Sequence, residues 1–254
     1  MMSGDSVWKP LMDELDRWQA CGRVAAFWLR DDDAVVPTRP LERLVAMTAR
    51  TSTPLTLAVI PKDTDAALSD CLGAARHVTV AVHGWSHTNH AGSSGKKQEL
   101  GLHRPRQAVL GDLAAGFDKL SGLYGAQFGA MLVPPWNRID SDLLPDLSGL
   151  GYKSVSVFGR EKPALIRMIN THVDLIDWHG SRGGRDPSVL VQEIVARLQT
   201  MFEDGGHMGF LTHHLVHDEP AWRFLDALLD KTSQHRGCRW MAAGDLQAPN
   251  TAAM

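Results

Sequence analysis

Short apolar runs recur along the chain at 24–29, 55–60, 78–82, 130–133, 154–158, 173–176, 208–212 and 239–243. Several are uninterrupted and β-branched, which predicts strands buried on both faces. Between them the apolar spacing changes to three and four. Residues 39–50 predict a helix with Pro40 in its first turn. Residues 105–124 predict another, with Val109, Leu113, Phe117 and Leu120 along one side. Asp186-Pro187 reads as a cap and first helical position, followed by Leu190, Ile194, Leu198 and Phe202. Glu219-Pro220 opens a last long helix with Trp222, Leu225, Leu228 and Leu229 facing inward. Near the N-terminus Val7, Leu11, Leu15 and Trp18 mark an amphipathic helix. Strand and helix alternate about seven times, so the pattern predicts an α/β chain with a parallel sheet covered by helices, closed or nearly closed as a barrel.

No Gly/Pro/Ser-rich linker divides the chain, and a single domain is expected. Residues 1–22 are expected to form a helix packed on the barrel, 23–246 the barrel itself and 247–254 a disordered tail. Residues 91–104 are polar and glycine-bearing and read as a mobile loop. The chain has 254 residues, 44% apolar and 22% charged, enough for a sizeable core and unlike a disordered, collagenous or coiled-coil protein. A net charge of −3 gives no global footprint for nucleic acid or an acidic membrane. No apolar run is long enough to span a bilayer, and no basic-then-apolar leader pattern opens the chain, so a cytoplasmic protein is expected. The three cysteines, Cys21, Cys71 and Cys238, are scattered without CxxC spacing and read as free thiols in a reducing compartment.

Five polar or proline-marked clusters each come just after a predicted strand: Arg30-Asp31-Asp32-Asp33, the stretch from His83 to His90, Pro134-Pro135-Trp136-Asn137-Arg138, Asp177-Trp178-His179, and His213-His214 with His217-Asp218. In a parallel barrel all strand C-terminal ends lie on one face, where distant residues converge. Three adjacent aspartates at the end of a buried strand need a cation or several donors. His83 and His87 are four apart, so one helical turn or a tight loop brings both imidazoles to one side. Any single histidine is more often a core or surface residue. Two at this spacing, with a carboxylate cluster in the same barrel mouth, point to a divalent metal with a position left for water. Other motifs fail. Gly84 stands where a HExxH protease needs glutamate, Gly92 to Lys96 lacks phosphate-loop spacing, and no G-x-S-x-G elbow is present.

These clusters, in this order, resemble the polysaccharide deacetylases, carbohydrate esterase family four or the NodB-homology domain, over about residues 24–246. Asp32-Asp33-Ala34 stands at the first motif, His83 and His87 at the histidine-x-x-x-histidine motif, and Pro135-Trp136 at the proline-aromatic turn. Asp174 to Trp178 matches D-x-x-D-W, and Leu211-Thr212-His213 matches leucine-x-histidine. The resemblance implies a distorted (β/α)7-8 barrel with a divalent metal, most often zinc. It implies Asp33, His83 and His87 as metal ligands, Asp32 as general base, His213 as general acid, Asp177 as the residue tuning His213, and Trp178 as a pocket wall. Pro135, Trp136 and Arg138 are the further substrate-binding candidates. The expected substrate is a small soluble acetylated sugar or oligosaccharide, with neither nucleic acid nor membrane as partner. Three departures stand out: Val133 where the family has an arginine (Arg138 or Arg30 being the replacements), Ala34 for a glycine, and an extra Asp31 beside the base. The same metal chemistry on another non-peptide amide or cyclic C–N bond is the alternative, and an inactive sugar- or metal-binding barrel is the third.

Overall fold

A computed structural model describes residues 4–247 of the chain. The strands are β1 (Ala25–Ala34), β2 (Leu55–Val59), β3 (Val78–Val82), β4 (Phe128–Leu132), β5 (Ser154–Val155), β6 (Arg167–Met168), β7 (Val173–Asp174), β8 (Met208–Thr212) and β9 (Cys238–Trp240). The helices are α1 (Gly4–Ala20), α2 (Arg39–Arg50), α3 (Ala66–Leu72), α4 (Arg106–Tyr124), α5 (Leu144–Leu147), α6 (Pro187–Asp204), α7 (Glu219–Thr232) and α8 (Ala243–Gln247). They fall into two compact units. Among the described residues the first comprises 4–30, Arg39–Leu55 and Thr171–Ala242; the second comprises Asp31–Thr38, Thr56–Asn170 and 243–247. Strand β1 contributes to both. Among the described residues no helix is long and apolar enough to cross a membrane. Of the tail expected from 247 onward, Gln247 closes α8 and the rest lies outside the described residues.

In the first unit β1 neighbours β8 and also pairs with β9, and β8 pairs with β7. The β1–β9 and β7–β8 ladders are parallel. Every residue of β8 is buried, as its continuous apolar pattern predicts for a strand covered on both faces. Helix α1 buries Trp8, Leu11, Leu15 and Trp18 and packs on α6. Trp8 stacks on Phe224 of α7 at 5.0 Å between ring centroids, and Trp18 meets Phe202 of α6 edge-on at 5.3 Å. Under the sheet Phe27, Phe210 and Trp240 form a mutual triad at 5.2–5.5 Å. Each such pair adds about 0.5–1.5 kcal/mol beyond the area it buries. Asp186 caps α6 through the Ser188 and Val189 N–H groups, and Asp218 caps α7 through that of Ala221.

In the second unit the order is β6-β5-β4-β3-β2, with β2 next to β1. The β3–β4, β4–β5 and β5–β6 ladders are parallel. Helix α4 covers them with Val109, Leu113 and Leu120 buried. Its Gly116 is closely packed, since a Cβ there would lie 3.1 Å from Pro61 Cγ and 3.3 Å from both the Gly84 carbonyl oxygen and Val82 Cγ1. Strand β5 ends at Val155, short of the predicted 158. The Val157 N–H turns to the Asn170 side chain (3.1 Å), and the Asn170 amide donates to Gly159 (2.8 Å), which takes the chain out of the sheet. Residues 239–243 are only half strand: β9 stops at Trp240 and Ala243 opens α8. Cys21 and Cys71 are exposed, while Cys238 is buried and its thiol is pushed up to about 12 by burial.

Candidate metal centre

The second unit gathers the metal candidates. β1 runs five residues beyond the apolar run that ends at Leu29, carrying Arg30, Asp31, Asp32 and Asp33 inside the strand rather than after it. Asp31 and Asp32 are buried. Asp33 has φ 72°, a left-handed conformation uncommon outside glycine. His83 leaves the end of β3 and is held there by its N–H to Val59 (2.8 Å). Its Nδ1 lies 2.9 Å from the Val133 carbonyl oxygen and its Nε2 lies 3.0 Å from Asp33 Oδ1. Because a carbonyl only accepts, Nδ1 carries the proton, which leaves the neutral ring's lone pair on Nε2. His87 brings its Nε2 to 3.4 Å from the same Asp33 oxygen.

The ligand atoms of Asp33, His83 and His87 therefore lie within 4.8 Å of one another. They fit a divalent ion. Zinc bonds of about 2.0–2.2 Å in a tetrahedral arrangement place ligand atoms about 3.3 Å apart, against the 3.0 and 3.4 Å found here. The Nδ1–H to carbonyl contact is the orienting partner that metal-bound histidines generally have. At position 133 the main chain does the work: the Val133 oxygen fixes the His83 tautomer, and its N–H is itself tied to Val82 (2.8 Å). Electrostatics separates the two rings. Burial works against charge on His83, but Asp32 and Asp33 outweigh it and raise its pKa. Burial and the neighbouring His83 lower that of His87.

Trp136 lies beside this group, its ring centroid 4.3 Å from that of His87. It sits in a 3-10 turn over Pro135–Asn137 in which Trp136 (φ 54°) and Asn137 (φ 56°) are both left-handed; His87 has φ 54°. Left-handed backbone at Asp33, His87 and Trp136 concentrates strain where the chemistry gathers. Pro135 is buried against Gly84. Arg138 donates through NH1 to the Lys97 carbonyl (2.8 Å), anchoring the loop that follows the histidines.

The first unit holds the remaining candidates. His213 follows β8 and is 9% exposed, with the Trp178 ring edge-on at 4.7 Å. The Trp178 indole N–H is fixed by Asp174 Oδ2 (2.8 Å), the first aspartate of the D-x-x-D-W spacing. Asp177 accepts N–H groups from Gly180 (3.0 Å) and Ser181 (3.1 Å). The Ser181, Gly180 and His179 N–H groups hold its carboxyl below the usual carboxylate range. Sequence reasoning missed Glu99, which lies in the loop read as mobile and is fully buried.

No protein-family model and no curated protein matches the sequence. Solved structures do match the fold. A protein classed as a polysaccharide deacetylase from Mycobacterium smegmatis superposes with TM-score 0.67 at 14% identity, over 87% of this chain and 88% of that one. A family 4 acetyl xylan esterase from Clostridium thermocellum, in complex with a cobalt ion, gives 0.53 at 15% identity over 87% and 89%. A peptidoglycan deacetylase from Bacillus subtilis gives 0.54 at 13% identity over 88% and 90%. The chain thus has the fold of the family-four polysaccharide deacetylases, the distorted (β/α) barrel that the resemblance implies.

Proposed function

We propose that the chain is a metal-dependent hydrolase that removes an acetyl group from an acetylated amino sugar. The observation that carries this reading is the convergence of one carboxylate oxygen and two imidazole nitrogens, with the His83 tautomer set by Val133. Three acceptors facing one another need a cation, and this donor set suits zinc. Asp33, His83 and His87 would hold the ion, which when bound polarises a carbonyl and acidifies water. The cobalt ion in the acetyl xylan esterase supports the same reading.

Asp32 is the general base that takes the proton of the attacking water. Its charge acts on both His83 and His87. His213 is the general acid that gives a proton to the leaving nitrogen or oxygen. Asp177 keeps its charge through the loop N–H groups and is assigned to tune His213. Trp136 and, beside His213, Trp178 each offer a flat apolar face suited to a sugar ring or an acetyl methyl, whereas Pro135, expected to bind substrate, is buried against Gly84 and backs the Trp136 turn instead. Arg138 borders Trp136 as the remaining substrate-binding candidate.

Acetate release from zinc-loaded protein tests the reading, using soluble N-acetylated and O-acetylated sugars beside cyclic and linear non-sugar amides. The expected result is release from an acetylated sugar that stops when a chelator strips the metal. Turnover confined to the non-sugar amides would move the activity to the alternative class. Bound metal with no turnover on any substrate would leave a binding barrel.

A further inference from the structure

We infer that Glu99 is a positioning residue of the metal centre, its buried carboxylate fixing the backbone between the two histidine ligands and so the place of His87. The inference rests on the metal-centre reading above. Glu99 is fully buried, and it accepts the Trp85 N–H (3.2 Å), the Ser86 N–H (2.7 Å) and the Ser86 hydroxyl (2.9 Å). These donors occupy two of the three positions separating His83 from His87. Ser86 Oγ also lies 2.9 Å from Thr88 Oγ1, so the polar contacts anchored on Glu99 continue past His87 on its far side.

The third intervening residue, Gly84, is shaped by the same carboxylate. It has φ 59°, and a Cβ there would fall 2.1 Å from Glu99 Oε2 and 2.6 Å from Pro135 Cγ. The backbone after His83 is therefore gripped between the Glu99 carboxylate and the Pro135 ring, with no space for a side chain. This requirement accounts for the glycine.

Glu99 is itself anchored. Leu100 bridges to Ile139 in parallel register. The Gln98 N–H donates to Asn89 Oδ1 (2.9 Å) and the His90 N–H to the Gln98 carbonyl (2.9 Å). The loop from His83 to His90 is thus closed at its far end by the segment that carries Glu99. His87, held at a left-handed φ of 54°, has both neighbours tied down. Strained backbone persists only where its surroundings over-determine it, and Glu99 supplies that constraint. An amide in its place would turn an NH2 group toward one of the three donors and release part of the loop.

The test is the zinc affinity of the full chain, by competition with a chromogenic chelator. Wild type, Glu99→Gln and Ser86→Ala are compared, with Asp33→Ala as the ligand-loss control. Circular dichroism of the metal-free proteins and visible spectra of the cobalt-loaded ones accompany it. Glu99→Gln is expected to stay folded without metal, to bind zinc about 10- to 100-fold more weakly and to show an altered cobalt spectrum. Ser86→Ala, which removes one of three donors, is expected to fall between it and wild type. Zinc affinity within about twofold of wild type in Glu99→Gln, with the same cobalt spectrum, overturns the inference alone. If Glu99→Gln does not fold, unchanged affinity and spectrum in Ser86→Ala overturn it. Wild type that binds no more metal than Asp33→Ala overturns the metal-centre reading and this inference together.

Discussion

At the residue scale the decisive atom is the proton on His83 Nδ1. With Nδ1–H donated to the Val133 carbonyl, the neutral ring turns its other nitrogen to Asp33 as a lone pair, and His87 adds another acceptor nearby. Only a proton or a metal ion relieves that arrangement, which is why a histidine pair and an aspartate far apart in sequence read as one site. The pair spacing and the acidic run were legible. Val133 was not, because its contribution is a main-chain carbonyl that no residue-type pattern records. Glu99 was not legible either: in a polar loop a glutamate looks solvated, and only coordinates show it enclosed. The proposed division of labour between ligand and acid yields a prediction. His213→Ala should keep its full complement of bound metal and lose turnover by about 10²- to 10⁴-fold, the usual contribution of a positioned acid. Elemental analysis beside acetate release checks it, and an active variant would remove His213 from the acid role.

At the element scale, strands and helices with strong periodicity appeared where expected: β3, β8 and α2 match their predicted bounds to the residue. The failures have physical causes. β1 continues through three aspartates, residues of low strand propensity whose place in the ladder comes from tertiary context. β6 has two residues and α5 four, too short to show any period. α3, with its Asp65 cap and only Leu68 and Leu72 buried, is nearly as brief. Caps were the most readable boundaries. Asp218 illustrates their energetics, accepting N–H groups from Ala221 and Gly184 (both 2.9 Å). Burial works against its charge, but those N–H groups outweigh it and hold its pKa below the usual carboxylate range. A depressed folded pKa gives stability that is present above the unfolded value and lost as pH falls through the folded one. Asp218→Ala should therefore cost about 1 kcal/mol near neutral pH. That corresponds to a fall in Tm of about 2–4 °C. The deficit should shrink in acid, below about pH 4, where wild type loses the same anion. Thermal melts from pH 7 to pH 3 check it; a deficit that stays constant would mean that the carboxylate charge does not contribute.

At the scale of the whole molecule, the alternation of strand and helix was enough to name the fold class, because two-face burial leaves a continuous apolar signature at strand after strand. The order of the polar clusters carried the functional resemblance even though identity to the matched structures is only 13–15%. A few ligating and orienting residues constrain sequence locally, while the packing around them tolerates wide substitution. All of this rests on one ion shared by Asp33, His83 and His87. The most direct test is metal stoichiometry, by equilibrium dialysis against zinc followed by elemental analysis, for wild type and for His87→Ala. The account predicts one tightly held equivalent in wild type and its loss, or a strong weakening, in the variant. A wild-type chain that retains no zinc, or a His87→Ala variant that holds it equally well, would contradict it.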